Sequence, residues 1–358
     1  MVDVINFADA IAHSRQFKKR HLLLGNGFSI ACRPNIFAYS SLFEQADFTA
    51  IPELKKVFDA LGTNDFEHVI KALEDASRAL PIYDPSLTGI ADQMMKDAST
   101  LKGVLISTVA DNHPNIPNEI DDTQFWAARQ FLSHFLGPDN KNGKVYSLNY
   151  DLLLYWALMH EDMPFGAPIE LETNDGFGRE DDTDPEYVIW MGESSAHGQR
   201  VHYLHGALHL FDDGADLKKY TWKNTGTPLL DQAREAMDAG MFPLFVAEGK
   251  SPQKQAKIKH SAYLHHSFKS FSAQMDQRNN CLFIFGHSLA TNDKHILKKI
   301  VRGKVKQAYV GLHGPADSDN NKKIISAARA MSAQRNDRFP LEVIFFDAAS
   351  AKPWEYGT

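Results

Sequence analysis

Four short segments of this 358-residue chain hold residues whose types and spacing suit chemistry on a phosphorylated, sugar-bearing ligand. Gly25-Asn26-Gly27-Phe28-Ser29 follows an apolar run, where glycines let the backbone approach a pyrophosphate and a following helix offers unpaired N–H groups. Ser147-Leu148-Asn149-Tyr150-Asp151 supplies a carboxamide that can bind ribose hydroxyls or a water, with a carboxylate to orient neighbours. His205-Gly206 places an imidazole, a general base near neutral pH, behind the β-like run Val201-His202-Tyr203-Leu204. Phe285-Gly286-His287-Ser288-Leu289, with Asn292-Asp293, offers a glycine, a hydroxyl and a carboxylate at another strand end.

Each segment also has a plain structural explanation. A Gly-x-Gly after a strand is often only a turn, and the full dinucleotide fingerprint is missing. Asn149, Asp151, Asn292 and Asp293 are good helix caps. His-Gly recurs at His197-Gly198 and His313-Gly314, so only its place in the chain favours His205. His202, His205 and His209 fail as a metal set, because positions 202 and 205 face opposite sides of a strand.

The elements that must position these residues read as α/β. His21–Leu24 is a short apolar strand entering the glycine turn, and strand-like runs return at Lys144–Leu148, Val201–Leu204, Cys281–Phe285, Gln307–Leu312 and Leu341–Phe346. Helical patterns between them predict a Rossmann-like, largely parallel sheet with helices on both faces. From about 50 to 136 the pattern is helical, with Phe66, Val69, Ile70 and Leu73 on one face and Phe125, Ala128, Leu132 and Phe135 on another, which predicts a helical insertion in a single domain spanning 1–358. The acidic stretch Glu172–Glu186 reads as a solvated loop in preference to a cluster of catalytic acids.

With 43% hydrophobic residues the chain can bury a large core, and a net charge of -7 argues against broad nucleic-acid or anionic-membrane binding. Cys32 and Cys281 are the only cysteines, too few for a disulfide framework or a four-cysteine zinc site. The N-terminus lacks a basic lead into an apolar run and no segment has the roughly 18 apolar residues of a membrane helix, so the expected location is the cytoplasm.

Taken in order, glycine turn with Ser, Asn-x-Asp, His-Gly and Gly-x-Ser-Leu, the chain resembles the sirtuin superfamily, and most closely the bacterial sirtuin-like proteins of antiphage defence. Asn64-Asp65-Phe66-Glu67, Asp175-Gly176-Phe177 and Pro243-Leu244-Phe245-Val246-Ala247-Glu248-Gly249 extend the likeness, which runs from His21 to Trp354. It also fits a bacterial family described only by a domain of unknown function.

The resemblance implies that Gly25, Gly27 and Ser29 lie along ADP-ribose phosphates, with Asn26 and Phe28 nearby. Asn149 would contact the nicotinamide ribose or position a water, Asp151 would support it, and His205 would be the catalytic base. Gly286, Ser288 and Asp293, with His287 in the same segment, would contact the adenosine-side ribose. The implied activity is NAD hydrolysis to nicotinamide and ADP-ribose, with NAD as substrate and no zinc, in an effector of abortive infection. It would be restrained by self-assembly or by a defence partner, the helical insertion packing against neighbouring copies. A protein deacylase or ADP-ribosyltransferase is the alternative, weakened by the missing zinc ribbon. A non-catalytic sensor of NAD or ADP-ribose is another.

Overall fold

The computed structural model describes residues 2–37, 43–49, 51–64, 66–114, 116–138, 143–160, 164–166, 168–177, 187–192, 198–212, 216–220, 227–228, 231–232, 235–236, 243–245 and 251–355. Among these residues the strands are β1 (Val4–Ile5), β2 (Lys19–Leu24), β3 (Val145–Ser147), β4 (Tyr187–Ile189), β5 (Val201–Tyr203), β6 (Gly206–Asp212), β7 (Leu217–Tyr220), β8 (Pro243–Phe245), β9 (Asn280–Phe285), β10 (Gln307–Leu312) and β11 (Glu342–Asp347).

A parallel sheet runs in the order β1-β11-β10-β9-β2-β3-β5. Numbered from β2, the six longer-range neighbours β5-β3-β2-β9-β10-β11 read 3-2-1-4-5-6, the order of a doubly wound, Rossmann-like sheet. The chain leaves β2 toward β3 and β5, then returns to lay β9 on the other side of β2. Between β2 and β9, therefore, lies the topological switch point, where such sheets open their ligand crevice. The central strands are buried along their length, which explains why they read as continuous apolar runs with no alternation.

Aromatic side chains fill the space between the sheet and its helices. Phe283 stacks on Tyr309 with ring centroids 4.3 Å apart. On one face, Phe131 and Phe135 of the helix Asp122–Leu136 meet Phe285 at 5.1 Å and Phe283 at 5.3 Å. Phe7, on the helix Phe7–His13, joins the same group through Phe131, Phe283 and Phe346. The helix Asp122–Leu136 lies at the end of the expected insertion, yet its packing makes it the crossover helix between β2 and β3. On the other face, Phe271 of the helix Ala262–Met275 meets Tyr146 at 4.9 Å.

The expected insertion is helical as read: Pro52–Leu61, Phe66–Tyr83 and Thr88–Asn112 precede the crossover helix. The last two lie side by side as a hairpin, and Phe43, Phe48, Phe58 and Phe66 pack ring on ring as part of the main core.

A second sheet, antiparallel and ordered β4-β7-β6-β8, was not anticipated. The first part of the acidic stretch is a loop as read, with Glu172 and Asn174 exposed, but its end is buried at Asp175–Phe177. Asn174 accepts the N–H groups of Arg200 and Val201 through its carbonyl, and buried Asp175 pairs with Lys219 at 2.8 Å, tying the segment to β5 and β7. Residues 178–186 of that stretch, with Asp65, His197 and Val246–Gly249, lie outside the described residues.

At the switch point the turns after β2 and β9 touch backbone to backbone. Gly27 donates its N–H to the Gly286 carbonyl at 2.9 Å, and Gly25 donates to Phe285 at 2.9 Å. A Cβ on Gly27 would sit 2.4 Å from the Gly286 Cα, and Gly286 itself has φ of +67°. Trp354, near the C-terminus, braces the same turn: its indole N–H donates to the Phe28 carbonyl at 2.9 Å, and the two rings lie 5.0 Å apart.

Gly27→Val therefore forces the two turns apart and lowers stability by about 1–3 kcal/mol or more in urea unfolding. Gly103→Ala, in the helix Thr88–Asn112 with open space at its Cβ position, gains about 0.5–1 kcal/mol from the removed glycine entropy. Equal effects from the two substitutions would show that the switch-point contact is not tight.

Candidate functional site at the switch point

All four chemistry-bearing segments fall at the C-terminal ends of β2, β3, β5 and β9, adjacent strands of the parallel sheet. They form two buried polar groups.

The first joins the segments after β2 and β3. Ser29 donates its hydroxyl to Asp151 Oδ2 at 2.5 Å and accepts from Asn149 Nδ2 at 2.9 Å. Asp151 Oδ1 accepts the Leu153 N–H at 2.9 Å, and Asn149 donates its backbone N–H to Ser147 Oγ at 3.0 Å. Asp151 thus caps the helix Leu153–Met159, as the structural reading of that motif anticipated, while also holding Ser29. Burial pushes the Asp151 carboxyl upward, against the hydrogen bonds from Ser29 and Leu153. Because the Asn149 amide nitrogen is committed to Ser29, its carbonyl Oδ1 is the atom left to accept from a ligand hydroxyl or a water.

Ser29 is fully buried, and its hydroxyl orients Asn149. Phe28 is core, packed on Phe131 and Trp354. Asn26 uses its side-chain amide to donate to the Phe37 carbonyl at 2.7 Å.

The second group surrounds His205, which occupies the reversal between β5 and β6. Gly206, with φ of +80°, makes that reversal possible, a structural reason for the His-Gly pair. His205 Nε2 lies 3.3 Å from His295 Nε2 and 3.7 Å from Asp293 Oδ1. Asp293 Oδ1 accepts from Lys254 Nζ at 3.2 Å, its Oδ2 contacts His287 Nε2 at 3.0 Å, and His295 Nδ1 faces Ser251 Oγ at 3.2 Å. His287 Nδ1 in turn accepts the Leu289 N–H at 3.0 Å. Ser288 is exposed beside this network, and Gly286 is engaged with Gly27.

Burial holds the His205 imidazole well below its usual range, which favours the neutral ring and disfavours a lasting imidazolium there. Burial alone would raise Asp293, but the His287 hydrogen bond and the Lys254 charge hold its carboxyl well below the usual range. Leaving one member of such a buried pair unpartnered costs about 3–5 kcal/mol, which makes Lys254 and Asp293 interdependent.

His295, Lys254 and Ser251 escaped the sequence reading. His295 stands two residues beyond Asp293 and was visible as Asp-x-His; Lys254 and Ser251 carried no signal. His202 and His209 are separate from this group: His202 faces Ser267 and Ser270, and His209 stacks on Tyr155 at 4.5 Å. The ligand atoms of His205, Asp293 and His295 all lie within 4.8 Å of one another, close enough for a metal ion. The buried Lys254 ammonium already supplies positive charge to the same carboxylate oxygen and opposes a second cation there.

Several imidazoles in the protein are kept neutral. Burial lowers His295 to about 4, with Lys254 and His287 adding to it against Asp293; His21 falls to about 3 and His113 to about 4 by the same cause. The unfolded chain binds these protons near pH 6.5 and the folded protein only near 3–4. Their stabilising contribution is complete above pH 6.5 and is lost as pH falls toward 4. Urea midpoints therefore decline steadily from pH 7 to 4.5, with a shallower slope in His113→Gln; a flat profile would show that these rings titrate normally.

No curated protein matches the chain. A family model described as Domain of unknown function (DUF4917) matches residues 22–354, a span that contains both turns and every residue of the two polar groups. On that match across nearly its whole length, the chain belongs to the DUF4917 family.

Proposed function

We propose that this protein hydrolyses NAD, cleaving the bond between nicotinamide and ribose to give nicotinamide, ADP-ribose and a proton. The observation that carries the reading is positional: the 3-2-1-4-5-6 strand order puts the glycine turns, Asn149 and His205 on neighbouring strand ends at the switch point. Side-chain chemistry supports it. Asn149 Oδ1 suits a ribose hydroxyl or the attacking water, and neutral His205 suits the proton which that water releases. Asp293, expected on the adenosine side, lies 3.7 Å from His205 Nε2, so in this reading its buried negative charge serves the nicotinamide side, opposite the positive charge that develops on the ribose as nicotinamide leaves.

The turn after β2 has less to give a diphosphate than its glycines suggest, because the Gly25 and Gly27 N–H groups are spent on the turn after β9. In this reading the diphosphate passes over the outer edge of the turn at Asn26, and Gly286, His287 and Ser288 border the adenosine side. Deacylation is less favoured, since two buried cysteines cannot build a zinc ribbon.

Restraint by assembly belongs to the same proposal. Asn149, Asp151 and His205 are all buried, so NAD needs a conformational opening to reach them. At the hairpin tip of the helical insertion, Ile82 is 83% and Tyr83 88% exposed, which suits a contact with another copy or with a defence partner. With such a gate, an effector of abortive infection spares its own cell until it is switched on. No helix among the described residues is long and apolar enough to cross a membrane.

Purified protein incubated with NAD, with and without an acylated peptide, tests the reaction by chromatography of nicotinamide, ADP-ribose and acyl-ADP-ribose. Asn149→Ala and His205→Ala each lower turnover by about 10²-fold or more while the protein stays folded, and His313→Ala leaves it unchanged. Product formation that depends on the peptide would transfer the reading to a deacylase; binding without turnover would make the protein a sensor. Turnover per protomer rises with protein concentration and survives chelation of divalent metals. Full activity as a dilute monomer would remove the gate.

A further inference from the structure

His205 and His295 meet in an unusual way. Their rings, with centroids 5.4 Å apart and planes 24° from parallel, do not pack face to face; the Nε2 atoms point at each other across 3.3 Å. Both imidazoles are kept neutral by burial, so each carries one hydrogen and one lone pair. Two lone pairs cannot face each other at this distance without repulsion, and neither can two hydrogens. One nitrogen donates and the other accepts.

The surroundings decide which. Asp293 Oδ1 lies 3.7 Å from His205 Nε2, and its negative charge favours the hydrogen there. His295 then accepts at Nε2 and carries its own hydrogen on Nδ1, where Ser251 Oγ is 3.2 Å away as acceptor. Lys254 Nζ and His287 Nε2 are the other polar groups on Asp293, at 3.2 and 3.0 Å, and they keep the carboxylate ionised. Both polar contacts of His205 run through Nε2, which leaves Nδ1 as the nitrogen available to take up a further proton.

We propose that His205 takes the proton of the reaction at Nδ1 and passes its Nε2 hydrogen to His295, so that a two-histidine relay ending at Ser251 carries the proton out of the site. The inference rests on the hydrolase reading for the source of the proton. When a water attacks, its proton forms the His205 Nδ1–H bond. The Nε2–H bond of His205 breaks as His295 Nε2 gains that hydrogen. His295 releases its Nδ1 hydrogen to Ser251 Oγ, and the hydroxyl passes its own hydrogen to solvent. The relay adds no charge to the site, and each ring ends in the opposite tautomer. His295 and Ser251 act through His205 and position its proton; they do not touch the reacting bond.

The test uses the full chain with ¹⁵N-labelled histidine and no NAD, His205 and His295 being assigned from His205→Gln and His295→Gln. The expected spectrum has a protonated Nε2 on His205, an unprotonated Nε2 on His295 and a protonated Nδ1 on His295. Ser251→Ala, which leaves both rings in place, moves the His295 hydrogen from Nδ1 to Nε2 and with it the His205 hydrogen from Nε2 to Nδ1, so that one nitrogen still donates to the other. In turnover, His295→Gln lowers kcat about tenfold or more with KM for NAD within twofold, and Ser251→Ala lowers it less.

Unprotonated Nε2 on both rings together with a stoichiometric divalent ion would overturn the relay in favour of a metal centre. Tautomers indifferent to Ser251→Ala, or an unchanged kcat in His295→Gln, would overturn it too. If wild-type protein cleaves no NAD, the hydrolase reading falls, and the NAD-free spectrum still decides whether the two rings share a proton.

Discussion

The contact between Gly27 and Gly286 is the constraint on which the site depends. Two turns from strands more than 250 residues apart in sequence meet with no side chain between them, and their backbone hydrogen bonds fasten the ends of β2 and β9 at the switch point. Everything polar nearby is held relative to this seam. Ser29, two residues beyond Gly27, reaches across to Asn149 and Asp151, while His287, next to Gly286, reaches Asp293 and through it the surroundings of His205. The glycines that suggested room for a ligand are explained first by the closeness of one turn to the other.

The polar groups differ in electrostatic character. Around Ser29 the hydrogen bonds join just two segments, those after β2 and β3, and the arrangement fixes the direction of one carboxamide. Around Asp293 the groups come from more elements: His205 lies in the turn after β5, one helix carries Ser251 and Lys254, and another carries His295. In a low-dielectric setting such a network is costly when incomplete, so it resists piecemeal change. The neutral rings and the Lys254–Asp293 pair keep the interior near electrical balance, a condition that lets a single proton move without a large penalty.

The parallel sheet was legible because buried strands read as unbroken apolar runs, and Gln307–Leu312 matches its expected limits. The second sheet was not, since β4 and β8 have only three residues each and a window of that size has no usable period. β1, with two residues, had still less. The four motifs were found because each lies at a strand end, where glycine, carboxamide, imidazole and carboxylate stand out from apolar neighbours. Lys254 could not be found this way. It sits in the polar helix Ser251–His260, whose sequence gives no sign of which side is buried, and only the fold brings its ammonium to Asp293. Asp175–Phe177 misled for the opposite reason: an acidic run suggests solvent, as holds for exposed Glu172, whereas Lys219 pairs with Asp175 in the interior.

Trp354 ties the last helical turn of the chain to Phe28, near its beginning, and β1 lies along β11. During synthesis, the strand that completes the switch point emerges only after three-quarters of the chain, and the bracing indole later still. A nascent chain carrying β2, Asn149 and His205 has no Asp293, no His295 and no opposing glycine turn. The site therefore cannot exist on a partly made polypeptide. Its sequence-distant pairing also makes folding slow compared with a helical bundle of similar size. A chain that stops before β9 therefore has half of the switch-point contact and none of the network around Asp293.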